Sequence, residues 1–267
     1  MATATSLEKK DPPRKEYRES PGTCSMENTA FQDGERITYK LFYNWKFVWI
    51  AAGEVTFKVK DMGDQFHISA VGRTYKSYDP FFRVRDRYEC YIDKETLLPS
   101  VALREVEEGK YRLYDKVTFD RQQQKIKSLR GKSLEVAKEA EYEMESCIHD
   151  ILSIIYYARN IDFNEMKAGD KIPVNLFMDK EVWPLNVTYK GKQEKKRIKG
   201  NGKFRTMQFS PELIAGEYFT DGTEMNVYVS DDKNRVPLII ESPLSVGSMK
   251  AVLKKYDGLK YEMDADL

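Results

Sequence analysis

Residues 147–160, CIHDILSIIYYARN, carry the one clear helical period in the chain. Ile148, Ile151, Leu152 and Ile155 recur at i, i+3, i+4 and i+7, and Ile154, Tyr157 and Ala158 widen that stripe beyond a normal amphipathic face. The spacing predicts a helix over 147–160 that must be covered on most sides. Cys147, His149 and Asp150 stand together at its start, but adjacent helical residues point roughly 100° apart. None of the three pairs has the i, i+3 or i+4 spacing that brings side chains together. A structural role fits better: Ser146 is placed to cap the helix, and Asp150 lies in the first turns where negative charge complements the dipole.

Away from this stretch the period is two. Ile37, Tyr39, Leu41, Tyr43 and Trp45 fall on one face, and the same alternation returns in Val55, Phe57, Val59 and in Tyr111, Leu113, Val117, Phe119. Polar turn signals such as 61–64, 107–110, 120–123 and 231–234 separate the runs, and connections this short favour an antiparallel meander. A large antiparallel sheet with few helices must close, double over or curl around something to bury its inner face. The expected fold is therefore mainly β: a large curled antiparallel sheet, a half-open barrel, wrapped around one central helix. A shorter helix or turn is expected over 76–82, broken at Pro80.

Residues 34–44 and 169–179 align with Gly, Ile, Leu and Phe in register, and a strand, a polar turn and a proline recur at 91–99 and 228–237. Glycine-started strands resemble one another by chance, so this is either coincidence or the trace of two similar half-sheets, about 31–145 and 165–258, flanking helix 147–160. No Pro/Gly/Ser linker divides them, which favours one β-rich domain over 25–258. Residues 1–24 read as a disordered leader and 259–267 as a flexible tail.

Lys and Arg number 44 against 43 Asp and Glu, a near-cancellation that argues against nucleic acid as partner. No apolar run approaches the roughly 18 residues of a spanning helix. The spacing of Cys24, Cys90 and Cys147 does not suit zinc, and two histidines exclude a His-rich metal site. Cys90 alternates along a strand as a buried thiol would, which leaves Cys24 and Cys147 to bridge in an oxidising compartment. The sequence has no Gly-x-Ser-x-Gly elbow and no Cys-x-x-Cys pair. No catalytic residue, cofactor or metal is expected.

Aromatic residues offer another candidate. Tyr43, Trp45, Phe47 and Trp49 are expected to share one face of a strand, with Phe42 and Val48 on the other, and are followed by the small residues Ala51, Ala52 and Gly53. The rings either pack on the helix or leave a pocket between sheet and helix; a pocket would be lined by Trp45, Trp49, Phe57, Ile151 and Ile155. Positive charge concentrates over 190–205, as expected of a soluble hairpin edge or a contact to anionic headgroups. Phe81 and Phe82 follow a turn and suit a lid or partner contact.

Cys24 to Phe31, Gly34 to Tyr39, Tyr43 to Gly53, Cys147 to Ser153, Gly169 to Ile172 and Val229 to Pro237 together resemble the exported bacterial proteins grouped as domain of unknown function 3108. The resemblance spans about Cys24 to Lys255. It implies a fold similar to the curled sheets of lipoprotein carriers and a periplasmic or outer-membrane-associated place in a Gram-negative envelope. It transfers no catalytic residue. Residues 1–24 do not read as the export signal the family pattern would lead one to expect, so the signal is either trimmed, outside these residues or not used, and Ser20-Pro21-Gly22-Thr23 before Cys24 does not read as a lipidation box. The function expected is a non-enzymatic envelope protein binding a lipid-like or other apolar ligand on the concave side. The alternative is an assembly protein with a self-filled groove that binds another envelope protein.

Overall fold

The computed structural model describes residues 24–46, 48–144, 147–214 and 224–267, the side chain of Trp45 excepted. The expected leader lies outside them apart from Cys24. The strands are β1 (Arg36–Trp45), β2 (Val48–Asp61), β3 (Gln65–Thr74), β4 (Arg85–Asp93), β5 (Pro99–Glu108), β6 (Tyr111–Asp120), β7 (Lys125–Gly131), β8 (Lys138–Glu143) and β9 (Ile148–His149). The helix α1 (Ile151–Ala158) follows, and then β10 (Lys171–Met178), β11 (Glu181–Ile198), β12 (Gly202–Pro211), β13 (Asn226–Ser230), β14 (Pro237–Pro243) and β15 (Ser248–Asp257). They form one sheet in the order β8 to β1, then β15 to β9, with β1 and β15 as the seam. All pairs are antiparallel except β9 with β10. The fold is the mainly β curled sheet around one helix that the alternation predicts. No helix forms over 76–82, where turns carry the chain.

The eight-strand meander β1–β8 and the six-strand meander β10–β15 follow the same local path at several points. Before β1, Gly34 N donates to Val59 O (3.1 Å) and Val59 N returns to Glu35 O (2.9 Å). Before β10, Gly169 N donates to Tyr189 O (2.8 Å) and Tyr189 N returns to Asp170 O (2.9 Å). Both glycines have positive φ, 81° and 103°, which side chains resist. The turns ahead of Pro99 and Pro237 each hold a left-handed residue two positions earlier, Leu97 and Arg235. They close alike, through Asp93 N to Leu98 O and Ser230 N to Val236 O.

The sheet rolls up without edge pairing, since β8 and β9 are its two free ends. Phe177 of β10 packs against Ala102, Val117, Phe119 and Ile126, so the C-terminal end of the sheet is tucked against the inner face of β5–β7. A charge cluster fastens this overlap. Arg104 and Arg130 both contact buried Asp115 (2.6 and 2.5 Å) and Asp179 (both 2.8 Å). Asp179 and Lys180 form the two-residue β10–β11 loop, both with positive φ, the geometry of a type I′ hairpin turn.

The helix is shorter than 147–160. Ile148 and His149 pair in parallel with Asn175 and Leu176, which holds the chain extended up to Asp150. Asp150 is the N-cap: it accepts from Leu152 N and Ser153 N (both 3.0 Å), while Ser153 Oγ accepts from Asp150 N (2.9 Å) in a reciprocal capping box. Ser146, expected as the cap, lies outside the described residues. The fully buried stripe is Leu152, Ser153 and Tyr156, with Ile151 and Ile155 half-buried beside it.

Just past the helix, Arg159 is buried with all its nitrogens bonded. Its Nη1 and Nη2 reach the two oxygens of buried Glu35 (2.6 and 2.7 Å), Nη2 also donates to Ala30 O (3.2 Å), and Nε donates to Asn234 O (3.0 Å). Asn160 Oδ1 accepts from Thr29 N and Ala30 N. The segment before β1 is thus held against the helix, and its start is tied to the chain ahead of β9 by the Cys24–Cys147 disulfide.

Residues 259–267 are not a flexible tail. Asn234 donates to Tyr261 O and Glu262 O, and Ala265 is fully buried. Arg205 N donates to Ala265 O and Leu267 N to Lys203 O, so the segment continues the sheet beside β12 where the short β13 does not reach. Unmade backbone bonds along β12 provide the reason for the docking.

Removing one partner of a buried ion pair strands the other charge, so Arg159→Met or Glu35→Gln should each lower unfolding free energy by about 3–5 kcal/mol. The double variant Glu35→Leu/Arg159→Met should be less destabilised than either single one, as read by urea unfolding. Without reductant, unfolded protein should expose one alkylatable thiol, Cys90. Replacing Cys24 and Cys147 by Ser should cost about 2–4 kcal/mol, the usual range for a bridge closing a long loop.

Candidate functional site

Alternation along an antiparallel meander fixes which turns share an end. The turns at 46, 75–84, 109–110, 132–137, 179–180 and 244–247 lie at one end; those at 62–64, 94–98, 121–124, 199–201 and 231–236 lie at the other. The helix-facing side of each strand follows from register. Val59, Ile68 and Cys90 pack toward Leu152 and Tyr156, so Phe57 and Val55, Ala70 and Gly72, Tyr88 and Asp86 continue the same face.

Burial of the apolar positions along this inner face falls in one direction, while the polar Thr74 and Ser242 nearer the mouth are themselves buried. On β3 the buried Phe66, Ile68 and Ala70 give way to half-buried Gly72; on β4 buried Ile92 and Cys90 give way to half-buried Tyr88 and Asp86. On β14 Leu238 is buried and Ile240 half-buried, on β13 Val229 and Val227 behave alike, and on β11 buried Tyr189 precedes half-buried Val187, Leu185 and Trp183. The core beside the helix is well packed, and an open surface hollow of about 510 Å³ lies at the helix end against Phe31, Asp61, Phe66 and Lys94. A small void beside Ile151, Phe119 and Phe177 measures about 20 Å³, room for about one water. The opposite end is an open cup with half-buried apolar walls.

Gly72 leaves part of that wall bare: a Cβ there would meet nothing nearer than Asp86 Cβ and Val55 Cγ2, both at 4.0 Å. Beside it the wall turns polar. Asp86 accepts from Glu107 N (3.0 Å) and shares a hydrogen bond with the Glu108 carboxyl. Burial, followed by the adjacent glutamates, raises its pKa to about 7. A carboxylic acid that holds its proton near neutral pH, next to the Tyr88 ring, gives the cup both a donor and an acceptor.

The sequence-derived pocket set divides. Phe57 lies on the inner wall and packs edge-on to Tyr39 (5.7 Å), and Ile155 joins the same cluster from the helix. Ile151 borders the small void instead. Trp49 sits at the far rim under the Lys250 ammonium (4.7 Å), on the face opposite Ile50, and the Trp45 side chain is outside the description. The structure therefore brings Phe57 and Ile155 together and separates Trp49 from them. The half-buried Leu185, Val187, Val227 and Ile240 of the cup carry no individual signal, being ordinary apolar strand positions.

The cysteine, histidine and aspartate at the helix start are structural in their contacts. Cys147 is in the disulfide, and Asp150 spends both oxygens on capping while also accepting from the Cys90 thiol (2.9 Å). Burial, reinforced by Asp150, pushes the Cys90 thiol well up, away from the thiolate. His149 is buried with Nδ1 3.2 Å from Ser153 Oγ, and burial, then Arg121, lowers its pKa to about 3. No group of His, Cys, Asp and Glu suited to a metal occurs among the described residues. None of the described helices is long and apolar enough to cross a membrane.

Residues 38–254 match the model of a family described as protein of unknown function, DUF3108. The chain belongs to this family. Comparison with curated proteins gives no match. Among solved structures, the chain is similar to a β-barrel-like protein of domain of unknown function DUF1849 from Brucella abortus. The TM-score is 0.56 at 12% identity, covering 85% of this chain and 99% of that one. A putative exported protein with YmcC-like fold from Bacteroides fragilis aligns at TM-score 0.34 and 10% identity, over 87% and 99% of the two chains. The DUF3108 chain thus shares a β-barrel-like fold with the first.

Asp86 also has a testable pH signature. Its folded pKa lies above the unfolded value near 3.9, so as pH rises from about 4 through 7 the unfolded state ionises first and stability falls. Asp86→Asn should leave stability at pH 4 unchanged and raise it at pH 8 by about 1–2 kcal/mol, a figure reduced for the group's partial solvation. Urea melts at the two pH values check this.

Proposed function

We propose that this protein is a non-catalytic binding protein of the bacterial envelope that holds an amphiphilic, lipid-like molecule in the open half of its rolled sheet. The observation that carries the reading is the directional loss of burial: inner-face apolar residues on β3, β11, β13 and β14 go from buried beside the helix to half-buried toward the mouth. Such a concave, mainly apolar surface with a few convergent polar groups is what small-molecule sites look like. An acyl chain would lie along Val55, Val187, Val227 and Ile240, with Phe57 and Ile155 as the floor. Its polar end would meet Asp86, Glu108 and Tyr88. The disulfide supports an oxidising compartment.

Gly72→Leu tests the cup directly, because the added side chain fills open space without a backbone clash. Saturable binding of a fluorescent fatty-acid analogue is expected for the unmodified protein, with affinity reduced at least about tenfold, or about 1.4 kcal/mol, in Gly72→Leu and in Val227→Glu. Native mass spectrometry of protein purified without detergent should show an adduct of lipid mass. Absence of both saturable binding and any adduct across several preparations would overturn the reading.

A further inference from the structure

The rim of the cup has a character that ligand binding in its interior does not account for. Large apolar side chains crowd there in the open: Val48, Trp49 and Ile50 after the first hairpin turn, Val246 in the β14–β15 turn, and Phe81 and Phe82 between β3 and β4. Phe81 is 82% exposed and Val246 62%. The opposite end shows scattered exposures at Met62, Tyr261 and Leu267.

The rim residues form one crest. Tyr43 Oη donates to Val246 O (2.9 Å), Trp49 pairs with Asn44 and Asn44 with Ser248, which joins the first hairpin to the β14–β15 turn. Tyr75 N donates to Ala52 O (2.9 Å) and Gly109 N to Arg83 O (2.8 Å), which fixes the Phe81–Phe82 turn beside them. Lysines without a carboxylate partner stand on the crest among the described residues, outside the Glu107 and Glu108 pair beside Arg83. Lys46, Lys76 and Lys110 are exposed and in no ion pair among the described residues, and Arg83 stands 3.7 Å from Glu107. The one acid of the 75–84 turn, Asp79, is held by Arg85 (2.5 Å).

We infer that this rim docks the mouth of the cup onto a lipid surface bearing anionic headgroups, with Trp49, Ile50, Phe81 and Phe82 entering the interface and Lys46, Lys76 and Lys110 meeting phosphates. Separate turns at one end of the sheet, two of them with exposed apolar side chains and a lysine, Lys46 with Trp49 and Lys76 with Phe81, suit shallow insertion over about 5–10 Å. Lysine stems reach past apolar surface to the headgroups, and each basic group near an anionic leaflet adds to the attraction. A protein partner would more commonly need a continuous face of about 800 Å². This goes beyond the interior reading, because an empty cup could dock in the same way.

The test is flotation of the whole chain with vesicles of phosphatidylglycerol and phosphatidylethanolamine, and with vesicles of phosphatidylcholine alone. The protein should float with the anionic vesicles and weakly with the neutral ones. The variant Trp49→Ser/Phe81→Ser/Phe82→Ser, which removes exposed side chains, should keep its unfolding midpoint and lose at least about tenfold in partitioning. Met62→Ser/Leu267→Ser, at the far end, should float like the unmodified protein. Three results would each overturn the inference. One is no flotation at low salt. The second is undiminished flotation of the triple variant, above all if Lys195→Glu/Lys203→Glu at the other end abolishes it. The third is a concentration-dependent dimer that the triple variant loses in the absence of vesicle binding. Fatty-acid binding, measured separately, reports on the cup and leaves the rim result independent.

Discussion

The buried pair of Glu35 and Arg159 is the contact on which the closed end of this sheet depends. Withdrawing two charges from water costs several kcal/mol per ion, and the cost is offset here because each group is fully engaged. Burial by itself would pull the Arg159 guanidinium down; the Glu35 charge and its hydrogen bonds more than reverse this and hold it protonated. The planar fork of arginine suits the task, since it grips a carboxylate with two nitrogens and still reaches Ala30 O and Asn234 O. Three distant parts of the chain thereby meet at the helix end: the segment before β1, the β13–β14 turn and, through Asn234, residues 261–262.

That junction also explains how a sheet of two meanders becomes one body. The seam between β1 and β15 joins the halves at the middle of the sheet, while the Arg104–Asp115–Arg130–Asp179 cluster joins them at the overlap. Face-to-face overlap leaves β8 and β9 unpaired with each other, yet both are poor templates for further pairing. The sequence of β8, KEAEYE, is highly charged, and β9 has two residues.

Much of this organisation is legible in the residues. Period-two alternation and short polar turns give the meander, and the apolar run after Asp150 gives the helix around which the sheet curls. What the sequence hides has physical causes. Trp45 and Trp49 share a parity, but Lys46 at φ 45° turns the chain between them and the register shifts between Leu41 and Phe42, so parity does not carry over. A hairpin and a bulge each reset which face a residue shows. Glu35 and Arg159 have no local signature either: charged residues flanking a strand and a helix usually face water, and their meeting is a property of the closed fold. The helix start is hidden by Ile148, whose spacing fits the helical stripe although a parallel partner, Asn175, holds it extended.

Length decides why one end stays open. An eight-residue helix is about 12 Å long. The ten-residue strands around it, such as β1 and β15, run about 33 Å. However the helix is tilted, its length matches roughly a third of theirs, and the capping box at Asp150 and the Arg159 junction pin it at the end where the segment before β1 and residues 259–267 meet. The β10 overlap fills a further part on one side, where Leu113, Val117 and Phe119 stay buried along β6. The remaining wall is only partly covered: Val187 and Val227 pack beside Phe163 of the segment after the helix, Val55 and Ile240 pack against the β1–β15 core, and these four and Gly72 all stay half-buried. A longer helix would have made a sealed barrel with a continuous core. The short one, clamped by a buried ion pair, makes a vessel with a well-packed base, so the property that gives the fold its stability is the same one that leaves its mouth available.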